Sequence, residues 1–283
     1  MKYIFVQAAV LGSLLLTGCT GPQSEKPPVT TPPVTSPPVT NSRIKINSIT
    51  FKDESVAYYM RVISAGNPDM YADEVTYLAL DEATDLSWLP YFSQLKVLTV
   101  SGQVHDRVDL ASNPLLERLA IKADSLLLSH NNRLRELTAQ VSHIELPSAA
   151  ALTELNLTHS PVIGPQSKEL YRSNKNPLLA NYLKLDLSRQ AQLQQLYLSG
   201  AFEEVILPST SVLEYLTLKG SATARLNGLA QQAALKRLDA VLDKNLQEVD
   251  VSGLKQLEYI ALKADGLRSL DISALPQLDV LEI

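Results

Sequence analysis

The sequence predicts a repeat solenoid of the α/β class, predominantly β. One phrase returns along the chain: apolar, two free positions, apolar, one free, apolar. It opens at Val75, Leu95, Leu116, Leu134, Leu152, Leu193, Leu213, Leu235, Leu257 and Leu278. The spacings are 20, 21, 18, 18, 41, 20, 22, 22 and 21 residues. Units of that size cannot bury their own apolar side, so each must stack on its neighbours. Composition agrees: 45% of residues are hydrophobic and only 6% aromatic, as in a core built from aliphatic side chains.

The first element is a leader, residues 1–18. Lys2 gives a short positive start, and Ile4 to Leu16 is an apolar run too short for a stable membrane span. It ends in Leu16-Thr17-Gly18-Cys19, which resembles the lipobox of bacterial lipoprotein signal peptides. The resemblance implies acylation, for example by palmitate, of Cys19 as the first mature residue. It places the protein at the cell envelope, and Thr20 after the cysteine implies the outer membrane in a Gram-negative cell. Cys19 is the sole cysteine, so no intrachain disulfide forms.

Residues 19–42 hold the lipidated cysteine and a linker with Pro-Pro-Val-Thr three times. Proline fixes φ and removes amide donors, which bars helix and sheet. An extended polyproline spacer of roughly 40 Å is expected, with a proline-rich recognition segment as the alternative.

Residues 43–74 read as an N-terminal cap. Ile44, Ile46, Ile49 and Phe51 alternate like a strand. Asp53 is a helix N-cap candidate, and Val56, Tyr59, Met60 and Ile63 share one helical face. Gly66 and Pro68 end the helix. A solenoid needs such a cap over its first apolar end.

Residues 75–283 form the repeat domain. Ile49 to Asp53, Asp85-Leu86-Ser87-Trp88-Leu89 and Leu95-Lys96-Val97-Leu98 resemble the start of internalin-like bacterial leucine-rich-repeat proteins. Leu185-Asp186-Leu187-Ser188, Val249-Asp250-Val251-Ser252 and Leu270-Asp271-Ile272-Ser273 match the family's short half-repeat; Val108-Asp109-Leu110 matches in part. The resemblance implies a right-handed leucine-rich-repeat horseshoe of about ten turns, with a parallel sheet on its concave side and little helix beyond the cap. One departure is visible. The family often places Asn at the ninth position of the repeat, where this chain has Gln103, Asp124, Ser142, Ser160, Ser221, Asp243 and Asp265. An ionised Asp cannot donate a hydrogen bond, so a continuous amide ladder at that position is excluded.

The spacing of 41 marks an insertion at about 158–181, containing Pro161, Gly164, Pro165, Tyr171, Arg172 and Pro177. Inserted loops on a solenoid often bind partners. A degenerate repeat around Leu178, Leu179 and Leu183 is the alternative.

Strand side chains alternate faces, so positions three, five and seven of each phrase point away from the core. Tyr215, Arg237 and Tyr259 occupy position three of consecutive phrases, with Tyr197 nearby at position five. Lys219 and Lys263 hold position seven. Aromatic residues with arginine are the composition of binding hot spots; a local cation–π stack is the plainer alternative. With Tyr171 and Arg172 of the insertion, these are the candidate partner-binding residues. Glu136 and Glu154 are an acidic pair on neighbouring turns, suited to a basic partner, to a cation or to solvent.

Nothing points to catalysis or to a cofactor. His105, His130, His143 and His159 share no metal-ligand spacing and read as loop residues. No phosphate-binding glycine loop or nucleophile elbow occurs. A net charge of -5 and a pI near 5.5 argue against nucleic acid. The last phrase, Leu278 to Ile283, is an edge strand, and pairing of two copies through it is a further expectation. The function expected is non-covalent binding of a protein or glycan, with an envelope scaffold or an accessory of a secreted enzyme as alternatives.

Overall fold

The computed structural model describes residues 43–148, 151–160, 183–210, 212–219, 225–242 and 249–283. The leader, Cys19 and the proline-rich linker lie outside the described residues, as do Tyr171, Arg172 and most of the expected insertion.

The first half of the repeat region contains β1 (Tyr77–Leu80), β2 (Val97–Val100), β3 (His105–Asp109), β4 (Arg118–Leu127), β5 (Glu136–Glu145) and β6 (Glu154–His159). The second half contains β7 (Leu183–Asp186), β8 (Gln195–Gly200), β9 (Phe202–Ile206), β10 (Tyr215–Lys219), β11 (Leu226–Asn227), β12 (Arg237–Leu242), β13 (Tyr259–Ala264) and β14 (Val280–Glu282). Ten of these strands form one parallel path, β1-β2-β4-β5-β6-β8-β10-β12-β13-β14. Each starts two residues after an opening position of the recurring phrase. The register keeps equivalent positions side by side: Leu78 faces Leu98, Leu98 faces Leu119, Leu216 faces Leu238 and Leu238 faces Ile260. This is the parallel solenoid that the period predicts, of the leucine-rich-repeat type that the resemblance implies.

The core is one continuous cluster running from the cap through the repeats. The opening leucines from Leu95 to Leu257 are 0% exposed. Burying each such side chain contributes about 1.5–3 kcal/mol. Because neighbours share that burial, no single turn is stable alone.

The second limb of the turns is also extended in places. β3 pairs with the far half of β4, and β7, β9 and β11 form a separate three-stranded parallel sheet. The half-repeat motif has a local purpose there. Asp109, Asp186, Asp250 and Asp271 each accept the backbone N–H two residues ahead, at 2.9–3.0 Å. Such a turn satisfies a donor that the bend leaves unpaired. The Asp186, Asp250 and Asp271 carboxyls lie below the usual carboxylate range because the Ser188, Ser252 and Ser273 side chains hydrogen-bond them.

Two expectations need correction. Ile44 to Phe51 forms no strand: it contains a 3-10 turn, Ile46–Ser48, and one isolated antiparallel bridge, Lys45 to Tyr71. The alternation is genuine in burial, since Ile46, Ile49 and Phe51 contact the core. The segment meets only a single bridging residue, however, and one partner cannot sustain a ladder. The histidines are not all in loops either. His105 begins β3, His143 lies in β5 and His159 ends β6, because strands continue into the second limb.

The repeat pattern gave no sign of a further feature. Buried amides do run along the spine, three positions before the opening leucine. Asn113 Nδ2 donates to Leu89 O and Phe92 O at 3.0 and 2.9 Å. Asn131 Nδ2 donates to Leu110 O and Asn113 O at 3.1 and 2.8 Å. Gln190 reaches Pro147 O, and Gln232 reaches Pro208 O and Gly228 O. Thr210 supplies a hydroxyl to Ala191 O in the same place. Turn carbonyls there face inward and have no strand partner, so a buried side-chain donor replaces water. The ninth position helps only piecemeal, through Gln103 to Ala83 O and Ser142 to Ser160 O.

The cap is a helix, α1 (Glu54–Ser64), with Val56 and Met60 buried against the first turn. Asp53 caps it. Asp53 Oδ1 accepts Ser55 N–H, the Ser55 hydroxyl and Val56 N–H, while Oδ2 accepts Thr84 N–H and the Thr84 hydroxyl. One carboxylate therefore stitches the cap to the turn after β1. Beside it, Phe51, Trp88 and Phe92 pack edge to face, with centroids 6.0 and 5.3 Å apart. The Tyr59 hydroxyl bonds the Ala79 backbone of β1, and burial pushes that hydroxyl up.

Candidate functional site

The in-register strands turn sequence columns into rows across the polar face of the long sheet. Position three reads Tyr77, Val97, Arg118, Glu136, Glu154, Gln195, Tyr215, Arg237, Tyr259, Val280 in spatial order. Tyr215, Arg237 and Tyr259 are direct neighbours, about 4.8 Å apart at the backbone. Their strands are held from below by Leu216, Leu238 and Ile260, all buried. The row is therefore rigid at its base and open to solvent at its tips.

Arg237 does not sit between two rings. Its guanidinium carbon lies 3.7 Å from the centroid of Tyr259 alone. The ring quadrupole attracts the cation and fixes its plane. The Tyr259 hydroxyl is hydrogen-bonded to Glu282, and desolvation together with that carboxylate pushes it up. Lys219 Nζ stands 3.6 Å from Asp239, one row across. Both charged groups are exposed enough for this pair to add little stability.

Tyr197 lies on β8, half-buried, with its hydroxyl 3.5 Å from Gln195 Oε1. It faces Asn156 and Thr217 in the position-five row, not the tyrosine–arginine row itself. Lys263 is exposed. It lines a hollow of about 480 Å³ together with Asp239, Ala261, Asp265 and Glu282. Of its lining residues, Glu282 bonds Tyr259 and Asp239 meets Lys219, so Lys219, Arg237, Tyr259 and Lys263 share one neighbourhood. Sequence reasoning passed over Asp239 and Glu282 there. Both occupy position five, on the same face, and their charges were the available signal.

Glu136 and Glu154 do pair across β5 and β6. Thr158 and His159, at the edge of the expected insertion, belong to β6. His105 and His159 are buried, at 8% and 3% exposure, and burial holds both imidazoles below their ordinary value. Among the described residues no group of three or more His, Cys, Asp or Glu side chains is placed to hold a metal ion. No helix among the described residues is long and apolar enough to cross a membrane.

Fold and face together define the class: a leucine-rich-repeat solenoid with a polar sheet surface bearing an aromatic–arginine row. No protein-family model matches the chain, and no curated protein matches its sequence. Solved structures similar to it include three from Listeria monocytogenes and Leptospira interrogans. The functional domain of InlJ from Listeria monocytogenes is 20% identical over 72% of this chain, with a TM-score of 0.46. This chain spans 48% of that domain's length. The internalin InlF from the same species is 16% identical, covering 87% of this chain and 79% of that one, with a TM-score of 0.47. A Leptospira interrogans leucine-rich-repeat protein is 18% identical, covering 68% and 62%, with a TM-score of 0.29.

Proposed function

We propose that this protein is a cell-envelope lipoprotein, anchored through Cys19, that holds a protein or glycan partner on the polar face of its long sheet. The observation that carries the reading is the Tyr215–Arg237–Tyr259 row beside the hollow of about 480 Å³. Stacking orients Arg237 before any partner arrives, which reduces the ordering cost of binding. The hollow offers Lys263, Asp239 and Glu282 as polar contacts around it. Tyr197 and Lys219 extend the surface toward β8, and Tyr171 and Arg172 would add to it from the insertion.

Proximity labelling in the native cell identifies the partner, and binding by the purified protein then tests the patch. Replacing Tyr215, Arg237 and Tyr259 together by Ala is expected to weaken binding by about thirtyfold or more, the scale of one hot spot near 2 kcal/mol. A folded triple variant with unchanged affinity removes the patch and favours an envelope scaffold without a discrete ligand.

Pairing of two copies through β14 is a separate proposal. Leu281 on this strand is 41% exposed. Sedimentation is expected to show a dimer at high concentration; a monomer throughout rejects the pairing.

A further inference from the structure

A second hollow lies on the same face, near the cap, away from the expected tyrosine–arginine patch. It encloses about 280 Å³ and is lined by Tyr77, Val97, Thr99, Arg118, Ala120, Glu136 and their neighbours Leu119 and Thr138. Tyr77 and Arg118 lie two strand steps apart, about 10 Å, with Val97 between them. Position five is small throughout this region: Ala79, Thr99, Ala120 and Thr138. The taller side chains of the position-three row stand beside this low floor and leave a slot.

The slot's polar groups are unspent. Among the described residues Arg118 and Glu136 form no ion pair with each other or with any other group, and no side-chain hydrogen bond. Arg118 offers only donors, and ionised Glu136 only acceptors. Thr99 and Thr138 carry hydroxyls that do both. Tyr77, 53% exposed, presents a free aromatic surface.

We propose that this hollow is a subsite for one ring of a neutral sugar chain. The inference rests on reading the sheet face as the binding surface, and it selects glycan over protein. A sugar hydroxyl both gives and accepts a hydrogen bond, so a fixed donor beside a fixed acceptor matches vicinal hydroxyls. The apolar edge of the ring covers Val97 and Tyr77. The opposite charges of Arg118 and Glu136 cancel, which disfavours a strongly charged ligand. The floor offers no deep apolar pocket for the buried anchor that a protein hot spot needs. Tyrosine, arginine and carboxylate side chains also occur together at the other end of the face, in Tyr259, Arg237, Asp239 and Glu282, though there they already contact one another or Lys219. Arg118 and Arg237 are five strand steps apart along the path, about 24 Å. A sugar chain of several units is long enough to reach from one to the other.

The test uses full-length protein in a zwitterionic detergent on an array of neutral and acidic oligosaccharides, followed by titration of the best binder. Binding to neutral oligosaccharides is expected, with affinity little changed in about 1 M sodium chloride, where exposed charge pairs are screened. Arg118→Gln and Glu136→Gln are each expected to weaken it about tenfold, the loss of one charge-assisted hydrogen bond. Both sites are exposed, and an unchanged urea midpoint verifies the fold of each variant. An empty array, binding confined to acidic glycans, or both variants binding as the parent does would overturn the proposal. If the array is empty while a protein partner is lost on mutating Tyr215, Arg237 and Tyr259, the face is a binding surface and only the glycan assignment fails.

Discussion

Asp53→Ala is expected to destabilise the protein by about 3–4 kcal/mol, through loss of a helix cap and of charge-assisted bonds to two separate segments. The carboxylate is 8% exposed and accepts five hydrogen bonds. Its removal leaves the Thr84 N–H without an acceptor and frees the start of α1. The bonded Ser55 side chain holds the carboxyl far below the ordinary carboxylate range, with Thr84 and Val56 adding to the effect and burial opposing it. The sign follows directly. The unfolded carboxyl takes a proton near pH 4 while the folded one refuses it. The stabilisation is therefore complete above about pH 4 and is lost as pH falls below it. Urea unfolding followed by Trp88, the sole tryptophan, reports on this junction, since Trp88 packs on Phe51 and Phe92. An Asp53→Ala midpoint matching the parent, or an acid limb identical in both, would contradict the account.

Gly200→Ala is expected to cost about 3 kcal/mol, combining a left-handed backbone with overpacking. Gly200 has φ of +111°. A methyl group there would overlap the backbone carbonyl of His159, its partner across β6 and β8. A carbonyl locked in a parallel ladder cannot move aside as a flexible side chain would. The strain should open the ladder locally, so amide exchange at β6 and β8 should accelerate more than at β1 or β13. Uniform exchange across the sheet, or a variant as stable as the parent, would refute this.

Much of this fold was legible because its leucines obey a period. Each of the ten openings precedes a strand of the long path, and the register makes position three a straight row. The tyrosine–arginine neighbourhood could thus be located before any coordinates. The helix cap at Asp53 was legible for a similar reason, since N-cap chemistry is local to a few residues.

Other features depended on distant groups. Asn113, Asn131, Gln190 and Gln232 look like ordinary polar residues of a turn. Their purpose shows only when the carbonyls of the preceding turn are found facing them, 18 to 43 residues away in sequence. Asp53 looked like a cap; its grip on Thr84, 31 residues on, was invisible. His105 and His159 read as loop residues because strand continuation on the second limb rests on pairing with β4 and β8, and no local pattern records it.

By itself the amino-acid order determined the solenoid, its ten-strand register and which strand positions face the core, because a short period with alternating faces is a one-dimensional property. Tertiary structure alone decided that Arg237 stacks on Tyr259 and not on Tyr215, that Arg118 and Glu136 stand unpaired in a slot, and that amides line the spine. Those outcomes depend on rotamers, on hollows between turns and on inward-facing carbonyls, which exist only after one coil has settled on the next.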